Sequence, residues 1–182
     1  QYTLLFNNQL RDFSGHTQVG LNLGANAELG KMVKDIRFSS LLLPFFTIIG
    51  TLVFSAAASL LLTSWNIYDC MAVGSGFAYY SLSSLLIVQL KEASAGIEIA
   101  SQLGAIALLA NIIREMLALF GAPLYASFFG KFAPVSVAGI NSMDVCLPVI
   151  SRYSGKSIVP VAIIHGIILE ISVPLLISLF CK

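Results

Sequence analysis

Five apolar stretches, separated by charged or Gly/Pro-rich breaks, leave this chain little choice of environment. They run near residues 38–62, 71–90, 97–120, 134–150 and 158–180, and a helix needs about 20 apolar residues to span a bilayer. Hydrophobic residues make up 57% of the chain and charged residues 10%, with a mean hydropathy of +0.88. An ordinary soluble domain carries about 25% charged residues. Because lipid cannot bond an open backbone, the expected fold is all-α: a polytopic membrane helix bundle. Apolar segments recur to the C-terminus, which argues against a signal peptide followed by a soluble domain. A net charge of +1 implies no nucleic-acid partner. Cys70, Cys146 and Cys181 stand singly, without CxxC or ligand spacing, so neither a disulfide framework nor a metal or other cofactor is expected.

Two of the segments are interrupted. Residues 71–90 contain Gly74-Ser75-Gly76 followed by Tyr79-Tyr80-Ser81, and residues 134–150 contain Asn141-Ser142-Met143-Asp144 with Pro148 beyond. Such broken or re-entrant segments present helix ends and free backbone groups to a substrate near the membrane midplane. Pro148 has no amide to offer the carbonyl of Asp144, so an acid and a spare carbonyl are expected together, a combination that suits a cation. The competing reading is that Gly and Ser only let helices pack closely. Residues 1–30 form a separate, less regular segment, with a polar tract over 7–18 expected to be a loop, and residues 31–182 form the membrane domain.

Asn111, Arg114 and Glu115 lie inside the third apolar stretch. Ionisable groups at that depth usually face a water-filled path or a partner. At about 100° per residue, Gly104, Ala107, Asn111, Glu115 and Ala118 share one stripe, with Ile106, Leu109, Ile113, Leu117 and Phe120 opposite. Arg114 and Glu115 therefore point about 100° apart and cannot neutralise each other on one face. Asp144 is the acid expected to attract Arg114. In the last stretch, His165 shares a side with Val161, Leu169 and Ser172, and is either a satisfied neutral histidine or a proton relay. Glu170 lies about 140° from it, with Pro174 placed to free its carbonyl.

If every segment crosses once, Lys31, Lys34, Arg37, Lys91, Arg152 and Lys156 fall on one side and Lys131 and Lys182 on the other. The positive-inside rule then makes the first side cytoplasmic. This count fails if either interrupted segment enters and leaves on one face.

Four blocks together resemble the prokaryotic lysine exporters. They are Ala72-Val73-Gly74-Ser75-Gly76-Phe77-Ala78-Tyr79-Tyr80-Ser81-Leu82-Ser83, Asn111-Ile112-Ile113-Arg114-Glu115, Asn141-Ser142-Met143-Asp144 with Pro148, and Val159-Pro160-Val161-Ala162-Ile163-Ile164-His165-Gly166. The resemblance covers about Phe38 to Lys182, and four blocks in order make it specific. It implies export of L-lysine, and of lysine analogues, across the bacterial inner membrane by proton antiport. It also implies that Glu115 is one intramembrane acid of the family, with another in an N-terminal part this chain is expected to lack. Some members are split, so a small membrane protein is an expected partner, or else a homo-oligomer forms. The sequence departs from the family at the polar tract 7–18 and at Glu170, where a small polar residue is more usual. The substrate and proton site expected here comprises Glu115, Asp144, Asn111, Arg114, Gly74, Ser75, Gly76, Ser81, Asn141, Ser142 and His165, with Glu170 secondary. Glu115 would alternate between proton and substrate cation, and the Gly-Ser-Gly turn would receive the carboxylate. An accessory subunit of a split transporter and an acid-lined cation channel are the alternatives; an enzyme is not expected, because no HExxH, paired-aspartate signature or Ser/His dyad is present.

Overall fold

The computed structural model describes residues 42–62 and 65–181. The expectations for the N-terminal segment, and those for Lys31, Lys34, Arg37 and Lys182, lie outside the described residues. Within them the chain is helical, without a strand. In order come α1 (Leu43–Ala58), α2 (Ile67–Gly74), α3 (Tyr80–Ala95), α4 (Ile97–Phe129), α5 (Ala133–Ala138), a 3-10 segment (Gly139–Met143), α6 (Leu147–Ser154), a 3-10 turn (Lys156–Ile158) and α7 (Val159–Phe180).

Two helical units, Ile97–Phe129 and Lys156–Phe180, are long and apolar enough to cross a membrane, and only 28% and 33% of their most apolar windows are buried within the protein. A core helix of a soluble protein would be mostly covered. Here Phe54, Phe120 and Phe128 are each more than three-quarters exposed, so the apolar surface faces outward, as it does toward lipid. The third stretch extends past its expected end, since α4 continues through Pro123 to Phe129.

Both interrupted segments are broken as expected, and the breaks change the topology. In a straight path Asp69, in the first turn of α2, would lie about 33 Å from Lys91. Their charged groups are instead 2.7 Å apart. Residues 67–95 therefore turn back at Ser75–Tyr79, and enter and leave on one side. Gly96, at φ +83°, reverses the chain again between α3 and α4. α4 then carries the chain about 50 Å to the far end, where Gly130 opens the second interrupted segment. α7 finishes beside Asp69 and Lys91, because Cys181 lies within electrostatic reach of both and Phe180 and Cys181 share a core with Ala72 and Ile87. Its start therefore points to the far end, about 33 Å away. α6 joins that start through Lys156–Ile158, so residues 133–154 also enter and leave on one side.

The single-crossing count is thereby corrected. Lys131, Arg152 and Lys156 belong to one end, while Lys91, with Asp69 and Glu92, belongs to the other. We expect cysteines introduced by Lys131→Cys and Lys156→Cys, in a background without native cysteines, to react with a membrane-impermeant maleimide from one face, and a cysteine from Glu92→Cys to react from the opposite face. Glu92→Cys reacting together with Lys156→Cys and apart from Lys131→Cys would contradict the double fold-back.

Candidate functional site

The tips of the two fold-backs meet. The Ile140 amide donates to the Phe77 carbonyl at 3.0 Å, joining the first break to the second. Phe77 and Ala78 hold φ of +44° and +74°, a region costly for residues with a Cβ, so the surroundings must over-determine the turn. Asn111 does this from α4. Its Oδ1 accepts the Ala78 amide at 2.7 Å, and its Nδ2 donates to Ser83 Oγ at 3.1 Å and to the Ala107 carbonyl at 2.8 Å. Close approach is what the sequence provides here: a Cβ on Gly76 would land on the Asn111 amide, and one on Gly139, at φ +63°, on the Phe77 carbonyl.

Arg114, one turn along α4, serves the second tip. Its Nε donates to the Val137 carbonyl at 2.9 Å and its Nη2 to the Ser136 carbonyl at 3.0 Å, closing the C-terminal end of α5, where carbonyls lack helical partners. The guanidinium also lies 5.7 Å from the centre of the Phe77 ring. Asp144 is not its partner. Among the described residues the one ion pair is Lys91 with Asp69, so Arg114, Glu115, Asp144 and Glu170 have no ion-pair partner there. Three of the five guanidinium N–H groups make no hydrogen bond among the described residues.

Glu115 faces another way, as its helical angle requires. It is half-buried, and both it and the exposed Asp144 act electrostatically on the Cys146 thiol, which places two carboxylates around one buried sulfur. The Asp144 carbonyl accepts the Leu147 amide at 3.0 Å, so the spare carbonyl expected from Pro148 is not spare. Asn141 is buried, with its Nδ2 unbonded among the described residues.

His165 is fully buried at the second tip. Its Nδ1 is 3.2 Å from Ser142 Oγ, which donates to the Ala162 carbonyl at 3.0 Å, and its Nε2 is 3.0 Å from Thr47 Oγ1. Thr47 Oγ1 also lies 3.0 Å from the Leu43 carbonyl and 3.1 Å from Ser136 Oγ. Three hydroxyls and a neutral imidazole supply four protons to these five contacts.

Several expected residues have packing roles instead. Ser75 is buried and donates to its own helix at Met71, and the amides of Ser75, Gly76 and Phe77 are bonded to Met71, Val73 and Gly74, which leaves no donor in this turn for a carboxylate. Ser81 is exposed; the hydroxyl that meets Asn111 is that of Ser83. Glu170 is half-buried on α7, away from the His165 contacts. Sequence reasoning missed Thr47, Ser83 and the Asp69–Lys91 pair, whose only signals were a threonine in an apolar helix and charges 22 positions apart.

Two cavities meet at Arg114. One, of about 480 Å³, extends past Asn111, Val73 and Ser55 to Trp65 and Asp69. The other, of about 850 Å³, extends past Thr47, Ser136 and Leu117 to Phe46. Thr51, Ser55, Ala58 and Ala110 line both. The cavities overlap along Thr51 to Ala58 and beyond that overlap extend toward opposite ends, one to Trp65 and Asp69 and the other to Phe46 and Ser136.

The profile of the family described as "Lysine exporter LysO" matches residues 16–181. The chain is 33% identical over 114 residues to "Lysine exporter LysO" of Escherichia coli (strain K12), an alignment covering 63% of this chain and 35% of that protein. It is 31% identical over 117 residues to "Putative lysine exporter" of Haemophilus influenzae, covering 64% of this chain and 55% of that protein. The chain thus spans about a third and about half of these relatives. No solved structure matches.

For the site we expect Asn111→Ala to lower stability by about 2–4 kcal/mol, since it strips a strained turn of its partner. Ser83→Ala should cost about 1 kcal/mol and Ser81→Ala less than about 0.5 kcal/mol. Thermal unfolding in detergent reads all three, and equal effects at Ser81 and Ser83 would contradict the assignment.

Proposed function

The chain belongs to the lysine exporter (LysO) family, and from that premise we propose that it forms part of an inner-membrane transporter that exports L-lysine in exchange for protons. The observation that carries this reading is Arg114, without an ion-pair partner among the described residues, at the overlap of two cavities that extend toward opposite ends. Alternating access needs such a place, reachable in turn from each side of a fixed midplane site. Among the described residues Lys131, Arg152 and Lys156 at the far end outnumber Lys91 at the other, and the positive-inside rule supports reading the far end as cytoplasmic. The 850 Å³ cavity is then the entry side and the 480 Å³ cavity the exit side.

In this reading Arg114 receives the substrate carboxylate with the N–H groups that α5 leaves unused. Glu115 is the acid at which proton and substrate cation alternate, with Asp144 beside it. Asn111 holds the first tip, and Ser142 ties the second to α7.

We expect Glu115→Gln to reduce pH-gradient-driven lysine flux in proteoliposomes by tenfold or more, since a neutral amide cannot exchange a proton for a cation, while lysine counterflow persists. Unchanged proton-driven flux would remove Glu115 from this role.

A further inference from the structure

Asp69 lies at the outer limit of the exit-side cavity, and the charge beside it comes from the chain itself. Lys91 reaches back from α3 to place its ammonium 2.7 Å from the carboxylate, and both side chains are largely covered, at 12% and 17% exposure. An ion pair this sheltered bears a desolvation cost that its attraction only roughly offsets, so it is a poor device for stability alone. It lies at the mouth of a cavity whose inner limit is the guanidinium of Arg114. The wall between these poles is apolar, formed by Val73, Leu103, Ile106, Leu62 and Trp65.

A passage with a cation at one end, a carboxylate at the other and a largely apolar wall between suits, at its two ends in turn, one kind of small molecule. That molecule carries a carboxylate and, several methylenes away, an ammonium. The volume of about 480 Å³ lies within the usual range for small-ligand sites. Along α4 the cavity runs from Leu103 to Arg114, 11 residues or about 16 Å of helix, so one extended diamino acid reaches Asp69 after leaving Arg114 and does not bridge the two.

We propose that Asp69 is the exit-side binding residue for the terminal ammonium of a cationic amino acid, and that Lys91 occupies this place as an internal competitor when the site is empty. This rests on the exporter reading but adds a residue and a gate to it. Substrate leaving Arg114 displaces the Lys91 ammonium, which opens the mouth, and the return of Lys91 expels the substrate and closes it. Selectivity follows from the same exchange, because a side chain without a terminal cation cannot displace Lys91.

The test is equilibrium binding of L-lysine and of norleucine, which keeps the carboxylate and apolar tether but lacks the terminal ammonium, to the full chain in lipid nanodiscs. Asp69→Asn should weaken lysine binding about tenfold, as expected for one lost charge-assisted bond, and leave norleucine unchanged. Lys91→Met removes the competitor and should tighten lysine binding several-fold, again without effect on norleucine; this variant carries the test if Asp69→Asn fails to fold. Lysine affinity that is unchanged in the variants, or norleucine affinity that shifts in parallel, would overturn the proposal while leaving the exporter reading intact. Absence of lysine binding by the unaltered chain would overturn both.

Discussion

The hydrogen bond between the Phe77 carbonyl and the Ile140 amide is the contact on which the arrangement depends. Each fold-back opens its backbone at bilayer depth, where an unbonded amide or carbonyl shut away from water costs several kcal/mol. The two tips solve part of this by bonding each other. α4 supplies the rest, with Asn111 holding the strained Phe77–Ala78 turn and Arg114 closing α5. Removing any one member leaves the others with unsatisfied groups, so the tips and α4 form one cooperative unit.

That unit also explains how adjacent charges on one helix can do different work. Arg114 and Glu115 diverge by the helical angle, so the first faces the cavities and α5 while the second, like Asp144, acts on Cys146. A direct pair would have cancelled both charges. Their separation leaves a guanidinium and an acid within one turn of each other on α4. Substrate and proton can then influence one another through field and geometry without sharing a ligand.

Much of this was legible in the sequence, for reasons specific to each element. Apolar length fixed the helical class, and Gly74 to Gly76 and Asn141 to Asp144 marked the breaks because those residues interrupt apolar runs. The wheel angle separating Arg114 from Glu115 also carried over, since α4 is regular. Sidedness did not. Whether a broken segment crosses or returns is decided by packing against distant elements, such as α7 against α2 and α3, and composition is the same in either case. The Asp69–Lys91 pair was hidden for that reason, because it exists only if the chain doubles back. Assigning Asp144 to Arg114 failed on a related point: carbonyls at the end of a short helix compete for a guanidinium as well as a carboxylate does, and they are invisible as letters.

The central claim is that a cationic amino acid passes Arg114 through the two cavities that meet there. The most direct measurement is the rate at which a cysteine from Thr51→Cys, which lines both cavities, reacts with a small water-soluble thiol reagent as lysine is added. The account expects lysine, and not norleucine at the same concentration, to slow the reaction, and expects Arg114→Met to abolish that protection. A rate indifferent to lysine, or protection that survives Arg114→Met, would contradict it.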